Sequence, residues 1–312
     1  MDLISTPLLP GGFKVPASRH EDPSRRLRRM LATKPYVFGP GVYDPFGAEL
    51  VMYHGFDAVY FSGYSFAIGH LGTTDMDIYS SVEIADGARR TVSALRKFQL
   101  TMAMGDPEKG VAPVHLEIPP VVVDMDAGYG NLFNVQRTID LYVRAGVAAA
   151  HLEDQVMPKR CGHIAGKALI SADEFVGKLK MMRNAADDLG HKDFVIIART
   201  DGVSATEAPE TKRGIQLAID RGLRYMDSGS PTFCGASFRP RSAGRQSISA
   251  ARSASDSPRL DLPSTTPLPS SGTTRKTRSP GMGSASLASV SSSSRSPSST
   301  PPATACRFSS TT

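Results

Sequence analysis

Tryptophan is absent from this sequence of 312 residues, and cysteine occurs only three times, at positions 161, 234 and 306. Three cysteines without a C-x-x-C pair make neither a disulfide framework nor a zinc knuckle, which is typical of a reducing compartment. The chain begins Met1-Asp2 without an apolar signal core, and no run approaches the roughly 18 apolar residues of a membrane helix. We therefore expect a soluble cytoplasmic protein with no membrane partner.

Basic residues are not in excess over most of the chain, although its formal net charge is +6. Residues 232–312 hold 10 Lys/Arg and 2 Asp/Glu, whereas residues 1–231 hold 26 basic and 28 acidic residues. A nucleic-acid binder that acts through a basic tail is one hypothesis. It is disfavoured because the first 231 residues have no basic excess and no recognisable binding module.

The composition changes abruptly after Pro231, where Ser, Pro, Thr, Arg and Ala become dominant. Such a composition is typical of disorder. Two interpretations compete: a genuine disordered basic tail, and out-of-frame translation that replaces the true final third. We favour the frame error, and the nucleotide sequence after codon 231 decides between them. The predicted domains are an irregular lead-in over 1–23, a partial barrel over 24–231 and a low-complexity tail over 232–312.

Apolar segments of strand length alternate with helical patterns up to residue 231, and polar residues follow each strand. The predicted strands are residues 36–38, 58–63, 121–123, 148–152, 194–199 and 223–227, with a first helix capped by Ser24 and an irregular loop over 64–80. This alternation predicts an α/β fold, a (β/α)8 TIM-type barrel truncated after strand six. A doubly wound open sheet is the alternative, which the absence of a G-x-G-x-x-G motif after the first strand disfavours.

Two pairs of acids each follow an apolar run. Asp124 and Asp126 follow Val121–Val123, and Glu153 and Asp154 follow the next strand. Because parallel strands end at the same edge of a sheet, where α/β proteins place their sites, we expect these acids to lie close together. Hard carboxylates suit Mg²⁺, with Mn²⁺ as a second possibility. Cys161 follows Lys159 and Arg160, an environment suited to proton transfer.

Several motifs also resemble a family. They are the D-x-D-x-G-x-G pattern at 124–130, the triplet Glu153-Asp154-Gln155, the pentapeptide Lys159-Arg160-Cys161-Gly162-His163 and the segment Ala198-Arg199-Thr200-Asp201. Together they resemble the isocitrate lyase and phosphoenolpyruvate mutase superfamily over residues 25–231. The pentapeptide is typical of the lyases, because the mutases and hydrolases of the superfamily lack the cysteine.

The resemblance implies a role for each matching residue. The implied metal-binding acids are Asp124, Asp126 and Glu153, with Asp75, or alternatively its neighbour Asp77, on the metal side. The implied catalytic residues are Cys161 as the acid, His163, and Tyr60, which would help to deprotonate the substrate hydroxyl. The implied substrate contacts are Ser62, Gly63, Tyr64, Asp124, Gly162 and Arg199.

The implied reaction is an Mg²⁺-dependent retro-aldol cleavage of isocitrate into glyoxylate and succinate, as in the glyoxylate cycle, by a homotetramer. The alternative is a 2-methylisocitrate lyase that gives pyruvate and succinate, and an oxaloacetate hydrolase or a mutase is more distant. Lys159-Arg160 favours the methylated substrate, whereas Tyr64 and Ile164-Ala165-Gly166-Lys167 favour isocitrate. We lean towards isocitrate.

The sequence departs from the family pattern after its predicted sixth strand. Asp227 stands where the family has Glu, and the following segment that binds a substrate carboxylate is missing, as are strands seven and eight. Strands one and six would then be unpaired barrel edges, which favours aggregation. We therefore predict that this chain folds poorly and is inactive as it stands.

Overall fold

Strands and helices alternate along most of the computed structural model, which describes residues 21–162, 164–236, 287–291 and 307–311. In this part of the chain six strands pair in parallel, and their order in the sheet follows the chain. They are β1 (Tyr36–Val42), β2 (Val59–Phe61), β3 (Val121–Asp124), β4 (Ala149–Glu153), β5 (Val195–Thr200) and β6 (Phe233–Ala236). The six strands curl into a half-barrel, which confirms the predicted truncated TIM-type barrel.

Seven helices lie among the described residues. They are α1 (Pro23–Thr33), α2 (Pro45–Tyr53), α3 (Gly63–Leu71), α4 (Ser81–Met104), α5 (Leu132–Ala145), α6 (Ala172–Asp188) and α7 (Gly214–Asp227). Polar side chains start several of them: Ser80 and Glu83 form a capping box on α4, and the side chain of Asn131 caps α5. Such caps satisfy backbone N–H groups that have no partner inside the helix. In the described part of the chain, no helix is both long enough and apolar enough to cross a bilayer.

Two apolar layers hold the half-barrel together. One lies between the sheet and the outer helices, and it includes Val123, Ile139 and Phe175. The other lies inside the curl, where Leu27 and Leu31 of α1 pack against inward-facing residues of the strands. All residues of β3 and β4 are buried, as expected for parallel strands covered on both faces. Each fully buried aliphatic side chain contributes about 1.5–3 kcal/mol.

The predicted sixth strand was wrong. Residues 223–227 form the last turns of α7, which ends near Gly229, and the sixth strand is β6 at Phe233–Ala236. The helix continues because Leu217, Ala218, Arg221 and Tyr225 form one buried stripe at helical spacing. Asp227 is therefore not the residue at the end of strand six, and β6 lies beyond the expected domain boundary at 231.

Three further local predictions were wrong. The first part of the predicted loop over 64–80 is α3, which Ser62 caps and which ends at Gly72 in a left-handed conformation. Asp22, not Ser24, caps α1, and Ser24 is buried. Strand β1 continues through Gly39-Pro40-Gly41 to Val42.

Strand β1 is not an unpaired edge either. Two strands from the low-complexity region, β7 (Leu287–Ser291) and β8 (Arg307–Thr311), extend the sheet beyond it in an antiparallel arrangement. Their pairing uses backbone groups, so it needs no apolar pattern that a sequence would reveal. Apart from residues 232–236, the rest of the tail predicted over 232–312 lies outside the described residues.

Candidate active site

The register of the parallel strands brings charged residues together at one edge of the half-barrel. Asp124, the last residue of β3, is the register partner of His151 on β4. Glu153, the last residue of β4, is the register partner of Arg199 on β5. All of these side chains lie at the carboxyl ends of the strands, where barrel enzymes place their chemistry.

The turn after β3 holds Asp124 and Asp126 in a fixed relation. The backbone N–H of Asp126 donates to Oδ1 of Asp124 at 3.1 Å. Asp126 has a φ of 46°, a left-handed conformation that Asp tolerates better than most residues. Gly128 has a φ of 94°, and a Cβ there would lie 2.7 Å from Val135 Cγ2. The D-x-D-x-G pattern thus reflects local backbone requirements as well as chemistry.

Lys159 is an internal counter-ion in this acidic cluster. Its ammonium lies 2.6 Å from Oδ1 of Asp75 and 2.7 Å from Oδ1 of Asp126, and its side chain is only 3% exposed. The backbone N–H of Lys159 donates to Oδ2 of Asp77 at 3.2 Å. Of the two acids that the sequence left as alternatives, Asp75 therefore faces the cluster, whereas Asp77 holds the loop backbone.

Arg199 is the counter-ion on the other side of the acidic cluster. Its guanidinium lies 3.0 Å from Oε2 of Glu153 and 3.1 Å from Oδ2 of Asp201. Behind it, Asp154 accepts hydrogen bonds from the Asp201 backbone and from Thr200, Arg221 and Tyr225. This buried network attaches α7 to the ends of β4 and β5, so it fixes the position of Arg199.

Burial and neighbouring charges divide the acids into two groups. Burial raises the pKa of Asp126, helped by Asp124 and Asp75 and opposed by Lys159, to about 7. Burial likewise raises the pKa of Glu153 well above its usual value, although Arg199 opposes this. For Asp124 the opposing contributions of His151, Lys159 and Arg199 exceed that of burial, so its pKa is lowered.

The four acids predicted to bind metal fit a divalent cation by charge and donor type. Asp75, Asp124, Asp126 and Glu153 face the two cations Lys159 and Arg199, which leaves an excess of two carboxylates. Oδ2 of Asp126 accepts no hydrogen bond from any described residue.

The geometry limits how many of these acids can bind a metal directly. No three His, Cys, Asp or Glu side chains in the described ranges group closely enough to hold a metal by themselves. Mg²⁺ usually binds one or two carboxylates and keeps several waters or substrate oxygens, so this arrangement suits Mg²⁺ better than a metal that requires a complete protein cage.

Tyr60 lies beside His151 and Asp124. Its hydroxyl lies 3.2 Å from Nδ1 of His151, and the same nitrogen lies 3.5 Å from Oδ1 of Asp124, so Nδ1 can accept from Tyr60 or donate to Asp124 but not both at once. Burial, followed by the charge of Asp124, raises the pKa of Tyr60 well above its usual value. Tyr60 therefore retains its proton at ordinary pH and donates hydrogen bonds.

The three residues predicted to bind a substrate carboxylate start α3. The hydroxyl of Ser62 accepts from the Ser65 backbone at 3.2 Å, and the N–H of Gly63 lies 3.4 Å from Oδ2 of Asp124. Tyr64 is half-buried in the first turn. Glycine is required at 63 because a Cβ would lie 2.0 Å from the Tyr79 hydroxyl. The amino end of a helix is a favourable place for a carboxylate.

The segment after β4 carries Cys161. The thiol is 4% exposed and forms no disulfide. The carbonyl of Gly162 accepts a hydrogen bond from the Lys167 ammonium, which also lies 3.1 Å from Oδ1 of Asp201. His163, which the sequence predicts as catalytic, lies outside the described residues. The structure thus connects Gly162 to the cluster through Lys167 and Asp201.

Some residues of the site had no role in the sequence-based prediction. Gln155, Lys167 and Asp201 belong to or lie near the motifs that carried the resemblance, so the motifs were the signal that could have found them. Tyr79 had no such signal: its buried hydroxyl approaches Gly63 across the fold and has no hydrogen-bond partner among the described residues.

Comparison with known proteins finds similarity over most of the described part of the chain. The family model described as phosphoenolpyruvate phosphomutase matches residues 27–259. The chain is 38% identical to the 2,3-dimethylmalate lyase of Eubacterium barkeri over 66% of this chain and 60% of that protein. It is 36% identical to the isocitrate lyase of Haloferax volcanii over 66% of this chain and 51% of that protein.

Similarity extends to a 2-methylisocitrate lyase of Aeropyrum pernix, which is 33% identical over 67% of this chain and 57% of that protein. The chain thus spans 51–60% of the length of these curated relatives. A solved structure of 2,3-dimethylmalate lyase matches with a TM-score of 0.56 and 32% identity, over 70% of this chain and 62% of that one. An oxaloacetate acetylhydrolase with a bound inhibitor also matches with a TM-score of 0.56, at 31% identity, over 69% and 63%.

Proposed function

This chain belongs to the phosphoenolpyruvate mutase/isocitrate lyase superfamily, and from that premise we propose that it is a carbon–carbon lyase that cleaves isocitrate into glyoxylate and succinate. One observation carries this proposal: the segment that bears Cys161 is attached to the acidic cluster through Lys159, which contacts both Asp75 and Asp126. In this proposal the Cys161 thiol supplies an acid for the carbanion that cleavage leaves.

We propose that Asp124, Asp126 and Glu153, with Asp75, hold Mg²⁺, which Mn²⁺ could replace. A bound Mg²⁺ would act as a Lewis acid on the 2-hydroxyl and adjacent carboxylate of the substrate, lowering the pKa of the hydroxyl. These four acids would orient that ion through their carboxylate oxygens. Their raised pKa values mean that Asp126 and Glu153 must lose protons before they can do so.

The chain's own residues would then bind the substrate and transfer protons. The amino end of α3 and the Arg199 guanidinium would attract substrate carboxylates, because both are electropositive. The imidazole of His151 would accept the proton of the substrate hydroxyl. Tyr60, which retains its own proton, would donate a hydrogen bond to that imidazole.

Cleavage breaks the bond between C2 and C3, and its electron pair passes to the succinate fragment as an enolate. The Cys161 thiol would give its proton to the carbon of that enolate. The resulting thiolate would then take up the proton that the substrate hydroxyl had released. Lys159, Arg160 and Arg199 would stabilise the negative charge during this step.

A second candidate substrate class is favoured by the relatives. Those described above include a 2,3-dimethylmalate lyase and a 2-methylisocitrate lyase. These substrates also carry a hydroxyl next to a carboxylate, and they differ from isocitrate partly by methyl groups. A methyl-sized difference in a pocket gives about 10–200-fold discrimination, so more than one substrate can show turnover.

The test is a cleavage assay on the full chain with Mg²⁺ and a carbonyl-trapping reagent. Isocitrate, 2-methylisocitrate and 2,3-dimethylmalate are compared side by side, with oxaloacetate as the hydrolase control. Glyoxylate from isocitrate at rates well above those of a Cys161→Ala control would support the proposal. Pyruvate formed only from the methylated substrates would assign the second class, whereas oxalate from oxaloacetate alone would assign a hydrolase.

The assay also tests the predicted inactivity of this chain. One basis for that prediction is gone, because β1 pairs with β7. Turnover by the chain would contradict the prediction of inactivity. A folded chain that binds Mn²⁺ but cleaves none of the substrates would contradict the lyase proposal.

We also propose self-association in the cytoplasm. Phe46, Leu50 and Tyr53 are exposed and lie at i, i+4 and i+7 on α2, so they form one apolar stripe. Light scattering on the purified chain measures the oligomeric state, and a strictly monomeric chain at micromolar concentration would contradict the proposal.

A further inference from the structure

Gln155, two residues after β4, is fully buried beside the acidic cluster. Its carboxamide reaches four groups on three segments of the chain. Nε2 donates to the Arg160 carbonyl at 2.9 Å, to Oε1 of Glu153 at 3.0 Å and to Oδ2 of Asp201 at 3.3 Å. Oε1 accepts from the Arg160 backbone N–H at 3.0 Å.

The two contacts with Arg160 close a ring. One amide side chain pairs with both the N–H and the C=O of a single backbone residue, as a neighbouring strand would do. Arg160 directly precedes Cys161, so this pairing fixes the backbone from which the thiol projects. The orientation of the amide is determined by its surroundings, because only the NH₂ end can face the two carboxylates.

The other contacts connect this pairing to the acids. Glu153 is held at Oε1 by Gln155 and at Oε2 by Arg199. Its carboxylate is therefore fixed between one residue that orients the Cys161 segment and another predicted to bind substrate. A glutamate at 155 would remove the donors and add a third carboxylate beside Glu153 and Asp201.

We propose that Gln155 is a positioning residue that sets the Cys161 backbone against Glu153. It acts through Arg160 and Glu153 and need not touch the substrate. Its effect on cleavage rests on the proposed function, whereas its hold on the Cys161 segment does not. The two parts of the proposal can therefore be tested separately.

The experiment measures alkylation of each cysteine by iodoacetamide, resolved by peptide mass spectrometry, in the full chain. Gln155→Met keeps the volume of the side chain and removes its hydrogen bonds. Gln99→Met is the matched control. Gln99 lies on α4 and makes one bond of the same kind, to the Leu116 carbonyl at 2.7 Å. Cys234 on β6 reports global opening within the same molecule.

We expect Gln155→Met to accelerate alkylation of Cys161 by about tenfold, because two backbone hydrogen bonds of the segment are lost. Alkylation of Cys234 should not change, and Gln99→Met should change neither rate. If the chain cleaves substrate, Gln155→Met should lower kcat by about tenfold or more and change KM by less than about threefold, since positioning acts on the chemical step.

Two results would overturn the proposal. An unchanged alkylation rate at Cys161 would show that Gln155 does not hold the segment. A parallel rise at Cys161 and Cys234 would show a global loss of stability instead of local positioning. A wild-type chain without turnover would count against the proposed function alone, because the alkylation rates would still decide the role of Gln155.

Discussion

The two ends of the parallel strands use charged side chains in different ways. At the amino ends, arginines bind backbone carbonyls as well as exposed acids: Arg26 binds Ile118 O and Glu117, Arg28 binds Asp193 O, and Arg183 binds Phe194 O, His191 O and Asp187. At the carboxyl ends, buried acids and cations contact one another directly, with more acids than cations. The amino ends thus satisfy polar groups, and the carboxyl ends leave polar groups available for a ligand.

Backbone conformation follows the same division. The described part of the chain has three non-glycine residues with positive φ, Asp77, Asp126 and Tyr129, and each lies in the loops around the acidic cluster. Such conformations cost about 1–3 kcal/mol each and persist where surrounding structure enforces them. The carboxyl ends therefore combine strain with an excess of buried acids, which is typical of a functional site.

The largest expected effect is a loss of substrate cleavage when an acid at the carboxyl ends of the strands is replaced. Replacing Asp124→Asn removes the acid whose lowered pKa keeps it ionised. We expect Mn²⁺ affinity to fall by more than about tenfold and kcat/KM by about 1,000-fold, because a proposed ligand to the ion is lost. Titration with Mn²⁺ and the carbonyl-trapping assay measure these changes.

Asp220→Asn is the control for that substitution, because Asp220 pairs with Lys212 on the surface. It should leave Mn²⁺ affinity and cleavage unchanged. The urea midpoint of Asp124→Asn should stay close to that of the wild type. A large fall in this midpoint would mean that Asp124 has a structural role, which would weaken the comparison between the two ends.

The next effect is on stability at the amino ends. Arg183→Met removes hydrogen bonds to two carbonyls and an ion pair with Asp187. We expect the free energy of unfolding to fall by about 2 kcal/mol, because the His191 carbonyl loses this donor and the Phe194 carbonyl keeps only the longer bond from Arg28. Urea unfolding measures this loss, and Mn²⁺ affinity should change by less than about twofold. A matching loss of metal affinity would show that the two ends are not independent.

A smaller effect is the dependence of metal binding on pH. With a pKa of about 7, Asp126 is protonated at pH 6 and ionised at pH 8. We expect Mg²⁺ affinity to rise by about tenfold over this interval, since the ion competes with one proton. Calorimetric titration in the wild type and in Asp126→Asn measures it, and the slope should be smaller in the variant, where Glu153 still binds a proton in competition with the ion.

The same pKa gives a stability effect of the opposite sign in the absence of metal. Its folded value lies above the ordinary value of 3.8, so the folded chain binds the proton more tightly than the unfolded chain. The resulting stability is fully present below pH 3.8 and is lost as the pH rises through 7. A urea midpoint that rose with pH in the wild type relative to Asp126→Asn would contradict this sign.

Local patterns predicted the strands that position the site. Val121–Val123 is continuous and apolar, and the run before Glu153 is apolar apart from His151. This pattern reflects burial on both faces, so the acids that follow were expected at one sheet edge. The contacts that organise those acids could not be predicted. Lys159 reaches Asp75 across 84 residues, and that pairing depends on how two loops fold over the strands.

The wrong sixth strand has a similar cause. Arg221 looks like a solvent-exposed residue that ends an apolar stripe, but it is 2% exposed because it bonds to Asp154. A buried arginine is rare unless it is paired, and its partner lies 67 residues away. The helix therefore continues through residues 223–227, although their alternating pattern resembles that of a strand.

The smallest expected effect concerns a charged group at neither end of the strands. Asp86 on α4 pairs with Arg89 and Arg90 at the surface, where solvent screens the charges. Asp86→Asn should change the free energy of unfolding by less than about 0.5 kcal/mol and leave metal affinity unaltered. Urea unfolding at low and high salt measures this difference. A loss comparable with that of Arg183→Met would mean that the number of ion pairs, and not their burial at the strand ends, determines the stability of this half-barrel.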